Sequence, residues 1–427
     1  MMLAASPVLP PVLPPVLPPL LLRTLLSYGV FGLPLAMVAL PIYVYLPQFY
    51  AARAGLSLAM IGAVLLTARV AAAFIDPLLG LWIARGQGAY ARYVALALPL
   101  LLASFVALFH PPALGPAASL AWFLATLMLV YVGFGIATIA HQSWGAALTQ
   151  APAERARVSG VREACGLAGV VLAAGVTGAA GYGALSIAFA LALLLGAALL
   201  LWRAPRPAPA VAGNHALGWR AMAIPFRQAR FRALFAVLMV NGVASAIPAT
   251  LFLFFATDHL RLGAYAGLFL IMYFGAAAIS IPFWVALAVR FGEARAWVGG
   301  MLLAAVVFVW AFGLGPGAAL GFGAICVLSG LAVGADLALP PALLAGVIHG
   351  AGHSGSREAA YFGVWNWGVQ MTLALAAGIA LPLLAWLGFV PGSGGATSAL
   401  VAAYALLPCA LKLLAAALLW RAPLRHL

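Results

Sequence analysis

Arg69 and Asp76 stand inside an apolar run from Ser57 to Ala84. Burying a charge in hydrocarbon costs roughly 2.5 to 3.5 kcal/mol on insertion scales, so a charge kept there borders a pathway or belongs to a packed ion pair. A spacing of seven residues is nearly two helical turns, which puts both side chains on one face, about 10 Å apart along the axis. Low-dielectric surroundings favour a neutral acid and a close Arg favours the ion. Asp76 therefore reads either as a coupling or gating group that takes up and releases a proton, or as half of a structural pair. His141 lies in a polar group with Gln142, Ser143 and Trp144. Its titration near neutral pH suits proton carriage or a bond to a substrate hydroxyl, and the alternative is a helix–helix hydrogen bond. Asp336 precedes Pro340 and Pro341 and reads as a gate partner near one membrane face.

A second set of residues suits a substrate cavity. Trp144 offers a ring to stack on a sugar face or a cation. Trp365, Asn366 and Gln370 form a polar stripe late in the chain, and Tyr43 and Gln48 stand where Pro34, Pro41 and Pro47 interrupt an apolar segment. Interrupted membrane helices free backbone groups that must face a cavity or protein. Two Arg-Glu pairs, Arg162-Glu163 and Arg357-Glu358, open apolar segments and suit a cytoplasmic gate that closes by pairing across the molecule. Other chemistry lacks its residues. There is no phosphate-binding Gly-rich Lys loop, no cluster of nucleophile and base, and no metal-ligand pattern beyond His349 and His353 among glycines, so no cofactor and no enzymatic activity are expected. Cys165, Cys326 and Cys409 read as small packing residues.

These residues need helices in a membrane to position them. With 66% hydrophobic residues, 7% charged and a mean hydropathy of +1.14, the chain has no water-facing surface to offer. Twelve spans are expected: Thr24 to Tyr50, Ser57 to Ala84, Tyr93 to Phe109, Ser119 to Leu148, Val161 to Gly181, Ala184 to Trp202, Ala233 to Thr257, Ala264 to Val289, Ala296 to Leu314, Ala318 to Leu339, Ala360 to Leu387 and Thr397 to Trp420. An N-terminus in the cytoplasm places 17 of the 21 basic residues on the inner side, so both termini are expected there, in a cytoplasmic (inner) membrane. The net charge of +14 is then topological and asks for no nucleic acid.

The domain plan follows. Residues 1–22 form a Pro-rich tail with a Val-Leu-Pro-Pro repeat, and residues 204–232 a basic linker between bundles at 23–203 and 233–427. The two bundles echo each other. Pro77 precedes Arg85 by eight residues as Pro282 precedes Arg290, and Arg162-Glu163 returns as Arg357-Glu358 at an offset that also carries His141 onto Asp336. The fold class is all-α integral membrane, two pseudo-symmetric six-helix bundles.

The segment from Arg69 through Asp76-Pro77-Leu78-Leu79-Gly80, Trp144 ahead of Arg155, Arg157, Gly160 and Arg162-Glu163, and Tyr361-Phe362-Gly363-Val364-Trp365-Asn366 resemble the glycoside-pentoside-hexuronide:cation symporters of the major facilitator superfamily. The resemblance implies alternating access, a central substrate site and cation coupling through acids on the second helix. Four departures bear on the ion: Ala72 and Ala140 stand where that family's acids would, Gly32 to Pro34 lack one, and Gln370 replaces a Lys. Asp76 alone gives sodium few oxygens. The expectation is a monomeric secondary transporter in the lipid bilayer, coupling a small organic solute, a sugar or glycoside by resemblance, to a proton. An amphiphilic cargo, or an assembly factor on the same scaffold, is the alternative.

Overall fold

The structure is a computed structural model that describes residues 21–46, 49–50, 53, 58–86, 88–149, 151–207, 223–355, 357–386 and 397–424. The Pro-rich repeat, the middle of the basic linker and Gln48 lie outside the described residues. The first half runs through α1 (Leu22–Gly29), α2 (Gly32–Leu40), α3 (Leu58–Ala84), α4 (Tyr90–Phe109), α5 (Pro116–Leu148) and α6 (Pro152–Arg203). The second half runs through α7 (Ala229–Phe254), α8 (Ala266–Phe291), α9 (Glu293–Phe308), α10 (Ala319–Gly350), α11 (Glu358–Trp386), α12 (Thr397–Val401) and α13 (Leu407–Arg421). Eleven described stretches are long and apolar enough to cross a membrane. The 29-residue α11 is also long enough, at about 43 Å for a hydrocarbon layer of about 30 Å.

Local chemistry explains three departures from straight helices. Pro41 has no N–H to donate, and the chain passes there into a π-helical turn, Pro41–Tyr45, that contains Tyr43. Gly181 adopts φ 76°, a conformation open to glycine, and so breaks α6 into the fifth and sixth spans where one ends and the next begins. In contrast, Pro340 and Pro341 do not end the tenth span, which continues to Gly350. Both prolines are buried among neighbouring helices, a setting in which the freed backbone groups find other partners. Asp336 is thereby moved from the expected membrane face to the middle of α10.

Contacts within each half join α2 to α6, α3 to α5 and α4 to α5, and in the second half α8 to α10, α7 to α11 and α9 to α13. Between the halves, α3 packs on α11 and α6 on α8 and α10. The α3–α11 crossing is backbone on backbone. A Cβ at Gly80 would stand 2.5 Å from the Ala359 carbonyl oxygen and 2.9 Å from the Gly363 Cα. The glycine of the Asp-Pro-x-x-Gly segment is thus the residue that lets the halves close.

Each half also holds a buried polar fastener at matching positions. In the first, the fully buried His141 of α5 places Nε2 2.9 Å from the Tyr28 carbonyl oxygen of α1, and the Tyr28 hydroxyl donates back to the His141 carbonyl at 3.0 Å. A carbonyl only accepts, so Nε2 carries the hydrogen. Tyr28 and Phe31 pack against the ring at centroid distances of 4.4 and 5.2 Å. In the second, Asp336 of α10 pairs with Lys412 of α13 and accepts from Trp297 Nε1 of α9 at 2.7 Å and Asn241 Nδ2 of α7 at 3.1 Å. Lys412 also donates to Asn241 Oδ1 at 2.9 Å. Asp336 therefore ties four helices of one half together and is not paired across the halves.

Two outcomes follow for the purified protein. Gly80→Ala, which forces the α3–α11 crossing apart, is expected to cost about 1–3 kcal/mol, seen as a fall in Tm, while Gly175→Ala, with open space around its Cβ, leaves Tm unchanged. Lys412→Met strands a buried carboxylate and is expected to cost about 3–5 kcal/mol. Adding Asp336→Asn, which keeps an acceptor for Trp297 and Asn241, should recover most of that loss. Additive losses in the double variant would show that the pair does not act as a unit.

Candidate functional site

A cavity of about 250 Å³ lies between α2, α3 and α5 of the first half and α11 of the second. Its polar wall is Asp76, Tyr131, Thr138, Asn366 and Gln370, set among Val38, Ile42, Ala72, Phe134, Val369 and Leu373. Helical spacing accounts for the convergence. On α11, residues 366, 369, 370 and 373 follow i, i+3, i+4 and i+7 and share one face, as do 131, 134, 135 and 138 on α5. Gly135 opens the space that the Asp76 carboxylate fills, since a Cβ there would stand 2.8 Å from Oδ1.

Asp76 is the one formally charged side chain in the described wall. Five of the chain's seven acids hold a named partner: Glu154 with Arg157, Glu163 with Arg162, Glu293 with Arg155, Asp336 with Lys412, and Glu358 with Tyr90. Asp76, 8% exposed, has no ion pair or hydrogen bond from its carboxylate among the described residues. Arg69 is half-buried on the same helix and does not line the cavity. The Thr138 hydroxyl also has no hydrogen-bond partner among the described residues.

The remaining candidates lie elsewhere. Trp144 is buried, and its Nε1 donates to the Pro205 carbonyl at 2.8 Å, anchoring the start of the linker on α5. Trp365 is buried in the main core, turned about 100° around the helix from its neighbour Asn366. His141 and Asp336 belong to the bundle fasteners. Tyr43 belongs to the π-helical turn, and Gln48 lies outside the described residues.

The described polar contacts between the halves gather at the end that carries Arg85, Arg155 and Glu293. Arg155 of α6 lies 3.6 Å from Glu293 at the start of α9, both side chains 3% exposed. Gly346 of α10 leaves room for that guanidinium, whose Nη2 would meet a Cβ at 2.7 Å. Tyr90 of α4 donates to Glu358 of α11 at 2.9 Å. About three turns further along α6, Leu167 packs with Ala277, Ile281 and Ala338 of the second half. Arg162 folds back onto its own neighbour Glu163, so the expected Arg162-Glu163 to Arg357-Glu358 crossing is replaced in this conformation by Arg155–Glu293 and Tyr90–Glu358. The bond within the sequence neighbours is available without any approach of the halves, which is why it wins. Sequence reasoning passed over Tyr131, Thr138 and Glu293, and named Arg155 only as part of the family resemblance. The i, i+7 spacing of Tyr131 and Thr138, and for Glu293 the scarcity that makes any one of seven acids informative, were the signals for them.

Residues 27–426 match the family described as MFS/sugar transport protein. No protein of curated function matches the sequence. Among solved structures, the fucose:proton symporter of E. coli is 18% identical with a TM-score of 0.66, over 92% of this chain and 97% of that one. A bacterial homologue of the iron transporter ferroportin, in an outward-facing state, is 17% identical with a TM-score of 0.68, over 94% and 99%. The human organic anion transporter MFSD10 is 18% identical with a TM-score of 0.61, over 93% and 99%. These likenesses are of fold. Matched over nearly its whole length, the chain belongs to the MFS/sugar transport protein family.

Proposed function

We propose that this chain is a secondary active carrier that moves a small organic solute by alternating access, with Asp76 taking up and releasing the coupling proton. The observation that supports this reading is that Asp76, Asn366 and Gln370 share one cavity between two halves whose described polar contacts gather at a single end. Asp76 is the sole carboxylate in the described wall, so a proton rather than sodium is assigned to it. The family description puts a sugar or glycoside first among cargoes to test. The Arg excess favours a cytoplasmic closed end with both termini inside, and the reading takes the carrier as a monomer of the inner membrane.

The latch at that end is Arg155–Glu293 with Tyr90–Glu358, while Arg162, Glu163 and Arg357 set the charge around it. A buried ion pair gains little net energy because desolvation offsets its Coulomb attraction. Such a contact suits a gate that must open on every cycle.

In proteoliposomes tested with labelled sugars and small ammonium compounds, transport by the natural protein is expected to depend on an imposed pH gradient. Asp76→Asn should lose that dependence, and His141→Gln, which can still donate to Tyr28, should keep it. Gradient dependence surviving in Asp76→Asn would remove Asp76 from coupling. The latch is tested with a cysteine at position 345, introduced by Ala345→Cys in a background without the native cysteines, since Ala345 borders a gap of about 10 Å³ between the halves. Glu293→Gln is expected to speed its labelling by an impermeant maleimide roughly tenfold, equivalent to about 1.4 kcal/mol of closing preference. Equal rates would rule the latch out.

A further inference from the structure

We infer that the cargo is a monovalent organic cation and that the chain exchanges it for a proton at Asp76; the inference rests on the carrier reading and narrows its cargo. The argument starts from charge balance. On the elements around the cavity, α2 contributes no titratable side chain to the described wall, α5 contributes the neutral Tyr131, and α11 contributes the neutral amides Asn366 and Gln370. His141, one turn beyond Thr138, is held by Tyr28, and Glu358, two turns before Asn366, is held by Tyr90. Arg69 is nearly two turns along α3 and outside the wall. Nothing in the described wall answers the carboxylate, so whatever neutralises it must come and go.

Alternating access requires the closed cavity to pass between its two openings in both directions. A carrier that moves a neutral solute with a proton must return empty and deprotonated, enclosing a bare carboxylate at a desolvation cost of several kcal/mol. An exchanger never encloses that state. The cation enters from one side and binds ionised Asp76, whose proton has left to that side's water. After the halves reorient, the cation departs and Asp76 takes a proton from the second side for the return. One positive charge crosses each way, so the cycle is electroneutral.

The wall suits such a cargo. An apolar cavity of about 150 Å³ accommodates benzene, so the 250 Å³ here takes a solute of about ten non-hydrogen atoms. Phe134 and Tyr131 bring aromatic rings to the lining, and such rings attract a cation in a desolvated site. The unpartnered Thr138 hydroxyl and the two amides can bond one or two substituents. A hexose would instead set hydroxyls against Val38, Ile42, Ala72, Val369 and Leu373, and each hydroxyl left unpaired costs about 1–3 kcal/mol.

The test uses benzyltrimethylammonium, which is permanently charged and does not cross the bilayer as a free base. Added outside proteoliposomes with an acidic, pyranine-loaded lumen, it is expected to drive saturable lumen alkalinisation at a rate indifferent to a valinomycin-clamped potential. Neither 3-phenylpropanol, 3-phenylpropanoate nor glucose should do so. Binding to the purified natural protein, followed by tryptophan fluorescence, should weaken at least about tenfold from alkaline to mildly acidic buffer, and Asp76→Asn should lose both binding and exchange. If that variant does not fold, the pH competition and the neutral comparator on the natural protein decide the matter. Equal affinity for 3-phenylpropanol, or cation binding indifferent to pH, overturns the inference. Proton-driven glucose uptake with no response to the cation overturns it and leaves the carrier reading standing, whereas cation binding without flux removes the carrier reading and the exchange with it.

Discussion

Hydrocarbon tolerates a charge only where another group or water answers it, and the placing of ionisable side chains in this molecule follows from that constraint. Asp336 is answered by Lys412, Asn241 and Trp297, Glu293 by Arg155, and Glu358 by Tyr90. The carboxylate of Asp76 has the cavity in place of a partner. The difference sets Asp76 apart from the acids held by a named partner, and the proposed role in coupling rests on it. It also separates two kinds of pair, because Asp336–Lys412 joins helices of one half and Arg155–Glu293 joins the halves. On the proposed carrier reading the first has no reason to break during a transport cycle, and the second is the one that would.

The internal repeat gives this arrangement its economy. The second and eighth spans are repeat mates, as are the fifth and eleventh, and the contacts α3–α11 and α6–α8 are therefore the same contact made twice. The fasteners obey the same symmetry with different chemistry. His141 ties the fourth span to the first, and Asp336 ties the tenth to the seventh. Position has been retained while residue type has not, because the requirement is a polar bond across a helix pair and either an imidazole or a carboxylate network meets it.

Function departs from symmetry at the cavity. Three helices of the first half and α11 of the second supply the described wall, and the only formal charge among its described residues is on α3. Gly80 and Gly363 lie one to two turns from that wall, so the tight α3–α11 crossing and the cavity floor are parts of one structure. A change in how the halves meet there is felt at Asp76 through its own helix, whose next residue, Pro77, leaves the Ala73 carbonyl without a helical donor. On the proposed reading this is a physical route by which binding at Asp76 and closure at the basic end would influence each other.

Composition and hydropathy alone determine that this chain is a polytopic helical membrane protein, because no soluble arrangement can hide so much apolar surface, and the paired Pro, Arg and Arg-Glu spacings display the repeat. The Asp-Pro-x-x-Gly segment and the stripe around Asn366 also lead to residues that line the cavity, since helical periodicity fixes which of them share a face. Tertiary structure alone decided which charge faces which. His141, Trp144, Trp365 and Asp336 are residue types that suit a cavity wall, but their environment depends on the rotation of each helix about its axis and on partners distant in the chain, such as Tyr28 for His141. The Arg162-Glu163 and Arg155–Glu293 pairs make the same point: a local bond is visible in the order of residues, whereas a bond between halves exists only when two helices from distant parts of the chain approach within reach.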